Sequence, residues 1–344
     1  MGEESNRGWI LEERPTGKPT DETFSFVERP LPEPAAGEVL VKTCYLSVDP
    51  YMRGRIGGTS GYAAAWDVGD LLHGGVVGEV VGSRHPSFRR GEVVRGRLRW
   101  AEYATAAGEE LEPLDPDLAP LSTRVGVVGM PGRTAYFGMR EVAGPHAGET
   151  VVVSGAAGAV GSAAAQIARM TGCRVIGTAG TDEKCEWLES VADIDIAINY
   201  RREDDLEAAI GAACPDGVDV YFDNVGGPLT DAVFSHLAVD ARVAICGQIA
   251  LYNEPDQPVG PRKLHGLIAT RAQIRGFLVG DFDHRADVAE RRLADWIRSD
   301  ALAYEETIDD GIESAADAFM GLFAGENLGK QLVHVADPEC ESLA

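Results

Sequence analysis

One segment of the chain has residue types and spacing that suit phosphate binding, the run Ser-Gly-Ala-Ala-Gly-Ala-Val-Gly at 154–161. Glycines allow a tight turn and a close approach of the backbone, and the free N–H groups of a following helix attract an anion. The spacing is GxxGxxG rather than the more common GxGxxG, and glycines alone also occur at ordinary strand-to-helix corners. Because an apolar strand precedes the segment and an alanine-rich helix follows it, the segment predicts a dinucleotide-binding turn.

The residues after the next strand indicate which dinucleotide is bound. A fold of this kind recognises NAD through an acidic residue at the tip of that strand, which holds the ribose hydroxyls. Here the strand ends Gly-Thr-Ala-Gly-Thr at 177–181, without a carboxylate, and Lys184 follows. A lysine at this place supplies a charge for a 2′-phosphate, although most lysines are simply solvated. The sequence therefore predicts NADP(H) rather than NAD(H), with Asp182 and Glu183 as caps of the following helix.

Three later strand ends are expected at the same crevice, because ligands of open α/β sheets bind at the carboxyl edge of the strands. These strand ends lie at 223–227, 246–249 and 276–279, and each contains glycine. A glycine there permits a ligand to approach the backbone, and ordinary turn chemistry accounts for any one of them equally well.

The elements that must position these residues are of two kinds. Short strands at 37–43, 74–83 and 92–95 lie between glycines and prolines, and they predict a compact, barrel-like β domain. Between residues 130 and 305, apolar strands alternate with helices. This alternation predicts a doubly wound parallel sheet, so the fold class is α/β.

The composition restricts the partners and the location of the protein. Its 344 residues include 55 acidic and 31 basic ones, and the formal net charge of −24 argues against nucleic acid or an anionic membrane as a partner. No apolar run reaches the roughly 18 residues of a membrane span, the N-terminus is too polar for a signal peptide, and the six cysteines have no CxxC spacing. We expect a cytoplasmic protein with reduced thiols. Only five basic residues are lysines, which is typical of halophilic proteins or of an acidic protein with arginine-biased usage.

Taken together, the motifs resemble the zinc-independent medium-chain dehydrogenase/reductases, in the branch of prostaglandin reductases, plant alkenal double-bond reductases and curcumin-reductase-like enzymes. The resemblance extends over nearly the whole chain. Its carriers are the segments 47–53, 129–138, 155–161, 179–185, 199–200, 222–227, 246–253 and 326–330. It implies a β-rich GroES-like catalytic domain at 1–128, a Rossmann domain at 129–305 and a return to the catalytic domain at 306–344.

The resemblance also implies roles for individual residues. Lys184 and Tyr200 would contact the adenosine 2′-phosphate, while Met130 and Thr134 would approach the nicotinamide from the other domain. The pyrophosphate would be held by Gly158, Ala159, Val160 and Gly161. The ribose and nicotinamide would be lined by Asn224, Cys246, Gly247, Gln248, Ile249, Phe277, Leu278, Val279 and Asn327.

Zinc-dependent relatives hold a catalytic zinc ion with a cysteine and a His-Glu pair. Here Cys44 lies in the cysteine region, but the expected His-Glu pair reads His73-Gly-Gly, and zinc needs three protein ligands. We therefore predict no metal. Two departures from the branch pattern bear on the substrate pocket: Arg133 stands where leucine is common, and Leu251 replaces a small polar residue.

The implied chemistry is reduction of the carbon–carbon double bond of an α,β-unsaturated aldehyde or ketone by NADPH. Hydride goes to the β-carbon, and negative charge moves to the carbonyl oxygen. Tyr252 is the catalytic candidate, because a phenol ordinarily stays protonated at neutral pH and can donate to that oxygen. Tyr252 or water supplies the α-carbon proton, and a tyrosine that only packs on the nicotinamide is the alternative. Tyr51 and Met52 are predicted to line the substrate pocket, with core packing as an equal alternative.

Two other functions are compatible with part of these motifs. A quinone oxidoreductase of the same superfamily has the glycine turn and lacks zinc, and a non-catalytic NADP(H)-binding protein needs the cofactor motifs alone. The leading interpretation is an NADP(H)-dependent 2-alkenal or enone reductase with a small-molecule substrate. The resemblance further suggests a homodimer joined through the sheet edges of the cofactor domains.

Overall fold

The computed structural model describes residues 5–58, 64–256 and 258–339. The strands are β1 (Ser5–Leu11), β2 (Phe24–Pro30), β3 (Glu38–Ser47), β4 (His73–Ser83), β5 (Val93–Arg99), β6 (Tyr103–Ala107), β7 (Leu111–Pro113), β8 (Thr150–Val153), β9 (Arg174–Ala179), β10 (Ile196–Asn199), β11 (Val218–Asp223), β12 (Leu237–Ile245), β13 (Gln273–Gly276), β14 (Glu306–Asp310) and β15 (Lys330–His334). The α-helices are α1 (Met52–Gly57), α2 (Met130–Phe137), α3 (Ala159–Met170), α4 (Asp182–Ser190), α5 (Leu206–Ala213), α6 (Gly227–Phe234), α7 (Leu267–Thr270), α8 (Ala286–Arg298) and α9 (Ala315–Ala324).

The chain divides into two compact units. The first unit contains residues 1–126, 306–327 and 331–344, and the second contains residues 127–305 and 328–330. None of the helices in the described ranges is long and apolar enough to cross a membrane. The five cysteines that fall within those ranges are all free thiols, and Cys340 lies outside the described residues.

The first unit is built on a seven-stranded sheet. Its strands follow the order β14-β15-β3-β4-β5-β7, with β6 also paired to β3, and β1 and β2 form a separate antiparallel hairpin. Strand β15 pairs antiparallel with β3, so Leu332 lies opposite Ser47. The core contains the buried side chains of Trp100 and Phe319, whose rings meet edge to face at 6.1 Å. The strands expected at 37–43, 74–83 and 92–95 are present as β3, β4 and β5.

The second unit is a six-stranded sheet in the order β10-β9-β8-β11-β12-β13. All of its strand pairs are parallel, and β8, the central Thr-Val-Val-Val strand, is buried along its whole length, as expected for a sheet covered on both faces. In this order the first strand of the unit lies at the middle, and the chain runs outward from it in both directions, which is the doubly wound arrangement. The predicted α/β fold class is confirmed.

One detail of the second unit corrects the sequence analysis. The cap of α4 is Thr181, whose side-chain oxygen accepts a hydrogen bond from the Lys184 backbone N–H at 3.3 Å. Asp182 and Glu183 are not the caps, because they already lie in the first helical turn. The Asp182 carboxylate instead accepts from the Asn199 amide at 2.7 Å and pairs with Arg202.

Candidate functional site

The glycine turn lies at the point where the strand order reverses, between the carboxyl ends of β8 and β11. Gly155 has a left-handed backbone with a φ of 58°. A Cβ atom at Gly161 would lie 2.2 Å from the Gly155 carbonyl oxygen, so the first turn of α3 can close onto the loop only with glycine there. Gly158 is the N-cap of α3, and no side chain caps this helix. The first backbone N–H groups of α3 therefore face the crevice in which such folds bind a pyrophosphate.

A buried carboxylate organises the end of β11. Asp223 has no exposed surface, and its Oδ1 accepts hydrogen bonds from the Ser154 and Tyr221 hydroxyls, each at 2.9 Å. The backbone N–H groups of Val225 and Gly226 also donate to Oδ1 at 2.9 Å. The Thr230 hydroxyl donates to Oδ2 at 2.8 Å. Because backbone and side-chain donors converge on one carboxylate, the turn after β11 has a fixed conformation.

This network also fixes Asn224. The Ser154 hydroxyl, which donates to Asp223, accepts a hydrogen bond from the Asn224 backbone N–H at 2.8 Å. The Asn224 side-chain amide donates to the Ser154 carbonyl oxygen at 2.7 Å. Burial and the Asp223 charge raise the pKa of Tyr221 well above its usual range, so its hydroxyl remains a donor to the carboxylate.

The loop after β12 is tied to the same place. The backbone N–H groups of Cys246 and Gly247 donate to the Asp223 carbonyl oxygen at 2.8 and 3.0 Å. Burial, with a smaller effect of the Asp223 charge, raises the pKa of the Cys246 thiol to about 12, so this cysteine is no thiolate nucleophile at neutral pH. The predicted residues 246–249 therefore lie beside Asn224 at the carboxyl edge of the sheet.

Tyr252 follows directly in this loop. Its hydroxyl oxygen accepts a hydrogen bond from the Gln248 backbone N–H at 3.4 Å. A Cβ atom at Gly247 would lie 3.2 Å from the same oxygen and 3.5 Å from the Asn224 carbonyl oxygen. The candidate catalytic hydroxyl thus lies near the ends of β11 and β12.

A basic cluster lies at the acid-free end of β9. The guanidinium carbon of Arg201 is 5.9 Å from the centre of the Tyr200 ring, and a Cβ atom at Gly180 would lie 2.9 Å from the Tyr200 hydroxyl. Burial, followed by the Arg201 charge, lowers the pKa of Lys184. Lys184, Tyr200 and Arg201 therefore form one cluster at the end of β9. The sequence analysis missed Arg201, although it directly follows Tyr200.

The other residues predicted to line the cofactor lie after β13 and on α2. The Phe277 ring packs against Phe222 at 6.2 Å, while Leu278 is 47% exposed and Val279 begins a 3₁₀ turn. Met130 and Thr134 lie on α2 of the second unit, not in the other domain, and the Thr134 hydroxyl donates to the Met130 carbonyl oxygen at 2.8 Å.

The first unit holds Asn327 and the predicted substrate residues. Tyr51 is half-buried beside Arg55 and Arg97, whose guanidinium carbons are 5.8 and 6.0 Å from its ring centre. Met52, by contrast, has no exposed surface and packs in the core of the unit. Met52 therefore packs in the core, which is the alternative to the predicted substrate contact, and it is not part of the proposed substrate site.

The structure shows what surrounds Arg133 and Leu251, the two residues that depart from the branch pattern. Arg133 on α2 lies 3.7 Å from the carboxylates of both Asp283 and Glu290, so its charge is matched by acidic residues of the same unit. Leu251 ends a 3₁₀ turn, and its Cδ2 would lie 3.9 Å from a Cβ atom at Gly227.

The residues present do not fit a catalytic zinc ion. Cys44 is buried, and burial with the charge of Glu79 raises the pKa of its thiol to about 11. The Nε2 atom of His73 is in contact with the Arg99 guanidinium, a cation. Among the described residues, no group of three or more His, Cys, Asp and Glu is placed to hold a metal ion.

A parallel sheet in this order, with a glycine turn where the order reverses, defines a Rossmann-type dinucleotide-binding fold. Comparison with known proteins agrees: residues 7–114 match the family described as N-terminal domain of oxidoreductase, and residues 159–297 match the family described as zinc-binding dehydrogenase. A protein of Bacillus subtilis (strain 168), named as an NADP-dependent oxidoreductase, is 49% identical over 95% of this chain and 97% of its own length.

Two further comparisons cover almost the full length. The 2-alkenal reductase (NADP(+)-dependent) of Nicotiana tabacum is 41% identical over 98% of this chain and 99% of its own. The crystal structure of CurA in complex with NADPH from Vibrio vulnificus has a TM-score of 0.92 at 38% identity, covering 96% of this chain and 100% of that chain. This chain therefore belongs to the zinc-independent medium-chain dehydrogenase/reductases, in the branch of the prostaglandin, curcumin and 2-alkenal reductases.

The buried network around Asp223 generates a stability prediction. We expect Asp223→Ala to lower the free energy of unfolding by at least about 3 kcal/mol, because it leaves several buried donors without an acceptor. Urea unfolding followed by circular dichroism measures the change. The matched control is Asp204→Ala, which removes an exposed carboxylate of the same unit. Equal effects of the two substitutions would contradict the role given to Asp223.

Proposed function

We propose that the protein is an NADPH-dependent reductase that saturates the carbon–carbon double bond of α,β-unsaturated aldehydes and ketones. The observation that carries the proposal is the Tyr252 hydroxyl, which lies over the joined ends of β11 and β12 beside Asn224. In doubly wound folds this edge of the sheet is where the reactive end of a dinucleotide binds. The relative named as a 2-alkenal reductase supports the same substrate class.

The residues of the second unit suit NADP(H). The backbone of 158–161 at the start of α3 would bind the pyrophosphate, and Lys184, Tyr200 and Arg201 would bind the 2′-phosphate. A dianionic phosphate would offset the repulsion between the two cations and raise the pKa of Lys184 again. The structure of CurA with NADPH supports this cofactor.

Bound NADPH supplies the hydride for the β-carbon. The contribution of the chain is to stabilise the negative charge that forms on the carbonyl oxygen. The Tyr252 hydroxyl donates a hydrogen bond to that oxygen, directly or through a ribose hydroxyl, and Gly247 leaves the space in which the hydroxyl lies. The α-carbon proton comes from Tyr252 or from water. Tyr51 of the first unit is proposed to line the substrate site.

An exposed sheet edge supports a homodimer. Strand β13 ends the sheet of the second unit and is exposed along its length, with Ile274 40% exposed. An edge strand has unpaired backbone groups that a second copy can satisfy. We propose that two copies pair through β13. Size-exclusion chromatography with light scattering measures the mass of the particle in solution. A monomer at all concentrations contradicts it.

Two other expectations stay predictions. An adaptation to concentrated salt rests on the acidic and lysine-poor composition, and a cytoplasmic location rests on the short apolar runs and on the cysteines without CxxC spacing.

Substrate choice is the first test of the proposed function. With NADPH, we expect turnover of a medium-chain 2-alkenal and of a simple enone to exceed that of a benzoquinone, because the relative named as a 2-alkenal reductase supports that substrate class. Steady-state oxidation of NADPH measures all three. Turnover of the quinone alone would favour the quinone oxidoreductase, and NADPH binding without any turnover would favour a non-catalytic binding protein.

Cofactor choice is tested at Lys184. We expect Lys184→Ala to weaken NADPH binding roughly ten- to a hundredfold and to affect NADH much less, because one charged hydrogen bond to phosphate is lost. Fluorescence titration measures both dissociation constants. The control is Lys263→Ala, which removes a lysine that pairs with Glu207 at 2.9 Å in the same unit. Equal weakening of NADPH and NADH would contradict the assignment.

The role of the candidate catalytic hydroxyl is tested with Tyr252→Phe. We expect kcat to fall roughly ten- to a hundredfold with little change in NADPH affinity, because the substitution removes one donor to the developing charge. Single-turnover and binding measurements separate the two effects. Tyr45→Phe, on β3 of the first unit, is the control. Unchanged turnover in Tyr252→Phe would leave the tyrosine a packing role only.

A further inference from the structure

Two short segments that lie far from the glycine turn in sequence fold back onto it within the second unit. Residues 328–330 belong to this unit although they follow α9, and residues 303–305 end its continuous part. Gly329 forms a parallel β-bridge with Gly158, and its backbone N–H donates to the Ala157 carbonyl oxygen at 2.8 Å. We call the segments 303–305 and 328–330 the bracket. The glycine turn is therefore held by backbone from near the end of the chain.

The two segments of the bracket meet at Gly329, where there is no room for a side chain. The φ of Gly329 is 68°, in the left-handed region, and a Cβ atom there would overlap the carbonyl oxygen of Glu305. The same carbonyl oxygen accepts a hydrogen bond from the Lys330 backbone N–H at 2.9 Å. The backbones at 305 and 329 thus cross in direct contact, which glycine alone allows at this position.

A buried amide ties the bracket to α3, the helix that begins at the glycine turn. Gln166 of α3 is buried, and its side-chain oxygen accepts a hydrogen bond from the Ala303 backbone N–H at 2.8 Å. Its side-chain nitrogen donates to the Ala303 carbonyl oxygen at 2.8 Å and to the Ser162 carbonyl oxygen at 3.0 Å. Because a buried amide is costly without partners, Gln166 fixes the segment 303–305 against α3.

These contacts close a ring around the first turns of α3. The ring runs from Gln166 through Ala303 and Glu305 to Gly329, and from there back to the Ala157 carbonyl oxygen in the glycine turn. Ala157 directly precedes the N-cap of α3. Hydrogen bonds weaken steeply when their distance or angle departs from the optimum. The N–H groups at the start of α3 therefore point where the bracket holds them.

We propose that the bracket positions the start of α3 for the cofactor pyrophosphate, with Gly329 and Gln166 as positioning residues that do not touch the cofactor. The inference rests on the proposed function, which assigns the pyrophosphate to residues 158–161. A pyrophosphate is held by several backbone N–H groups that converge on its oxygens. Displacing the Ala157 peptide would misalign these groups together. The 2′-phosphate cluster at the end of β9 is not part of the ring of contacts, so its affinity for phosphate is expected to be independent of the bracket.

The binding experiment compares NADPH with adenosine 2′-monophosphate, which carries the 2′-phosphate but no pyrophosphate. We expect Gly329→Ala to weaken NADPH binding roughly tenfold, the size of one charged hydrogen bond, and to change binding of the monophosphate less than about twofold. Fluorescence titration measures NADPH, and competition against NADPH measures the monophosphate. Equal weakening of both ligands would overturn the proposal, because a general loosening of the second unit acts on both.

The matched control is Gly148→Ala in the same unit. Gly148 also has a left-handed backbone, with a φ of 88°, but nothing lies within 4 Å of a Cβ atom at this position. The control therefore carries the backbone strain of the substitution without the overlap at Glu305. We expect Gly148→Ala to lower the thermal midpoint and to leave NADPH affinity unchanged. An equal loss of NADPH affinity in Gly148→Ala and Gly329→Ala would contradict the role of the bracket.

A second variant and a measurement on the wild type cover the case that Gly329→Ala does not fold. Gln166→Met keeps the length of the side chain without its hydrogen bonds, and we expect the same selective loss of NADPH affinity. In the wild type, we expect NADPH to slow hydrogen exchange of the Ala303 amide and adenosine 2′-monophosphate to leave it unchanged. Exchange at Ala303 that does not respond to bound NADPH would reject the bracket.

These measurements use no substrate, so they separate the bracket from the proposed reaction. Selective loss of NADPH affinity in Gly329→Ala or Gln166→Met would support the bracket even if no enal or enone is reduced. A wild type that reduces enones, with NADPH affinity unchanged in both variants, would reject the bracket alone. A wild type that does not bind NADPH would reject both proposals.

Discussion

The candidate active site depends on one buried carboxylate, Asp223. The hydroxyls of Ser154 after β8 and Tyr221 in β11 donate to it, as do backbone N–H groups of the following turn and the Thr230 hydroxyl of α6. A charge with no exposed surface is tolerable only when donors satisfy its oxygens. The same donors consequently fix the ends of β8 and β11 and the turn with Asn224, while the loop carrying Tyr252 is tied to the Asp223 carbonyl oxygen. The geometry of the reactive end of the crevice therefore follows from one ion and its hydrogen bonds.

The sequence was sufficient for the fold of the second unit because that fold depends on periodicity. Continuous apolar runs such as Thr150–Val153, each followed by a helix, leave few arrangements other than a parallel sheet. The glycine turn was equally predictable from the sequence. Gly155 is required by its left-handed backbone, and Gly161 is required by its close contact with the Gly155 carbonyl oxygen.

Details that depend on three-dimensional neighbours could not be read in this way. Thr181, Asp182 and Glu183 are all acceptable capping residues, and only the backbone geometry selects Thr181. Met52 and Tyr51 are adjacent in sequence, yet one is in the core and the other is half-buried, because the first turn of α1 points them in different directions. Arg201 joins Lys184 only through the parallel pairing of β9 and β10, which no local pattern specifies.

The position of β15 determines when the first unit can be completed during synthesis. This strand lies between β14 and β3 in the sheet, although β3 is near the beginning of the chain and β15 is near its end. A nascent chain must therefore hold this edge of β3 without β15 until residues 330–334 have left the ribosome. Closing so long a loop costs entropy and slows folding. The parallel sheet, whose strands β8 to β13 are consecutive in sequence, can assemble earlier, so the two units are expected to mature in the reverse of their order from the N-terminus.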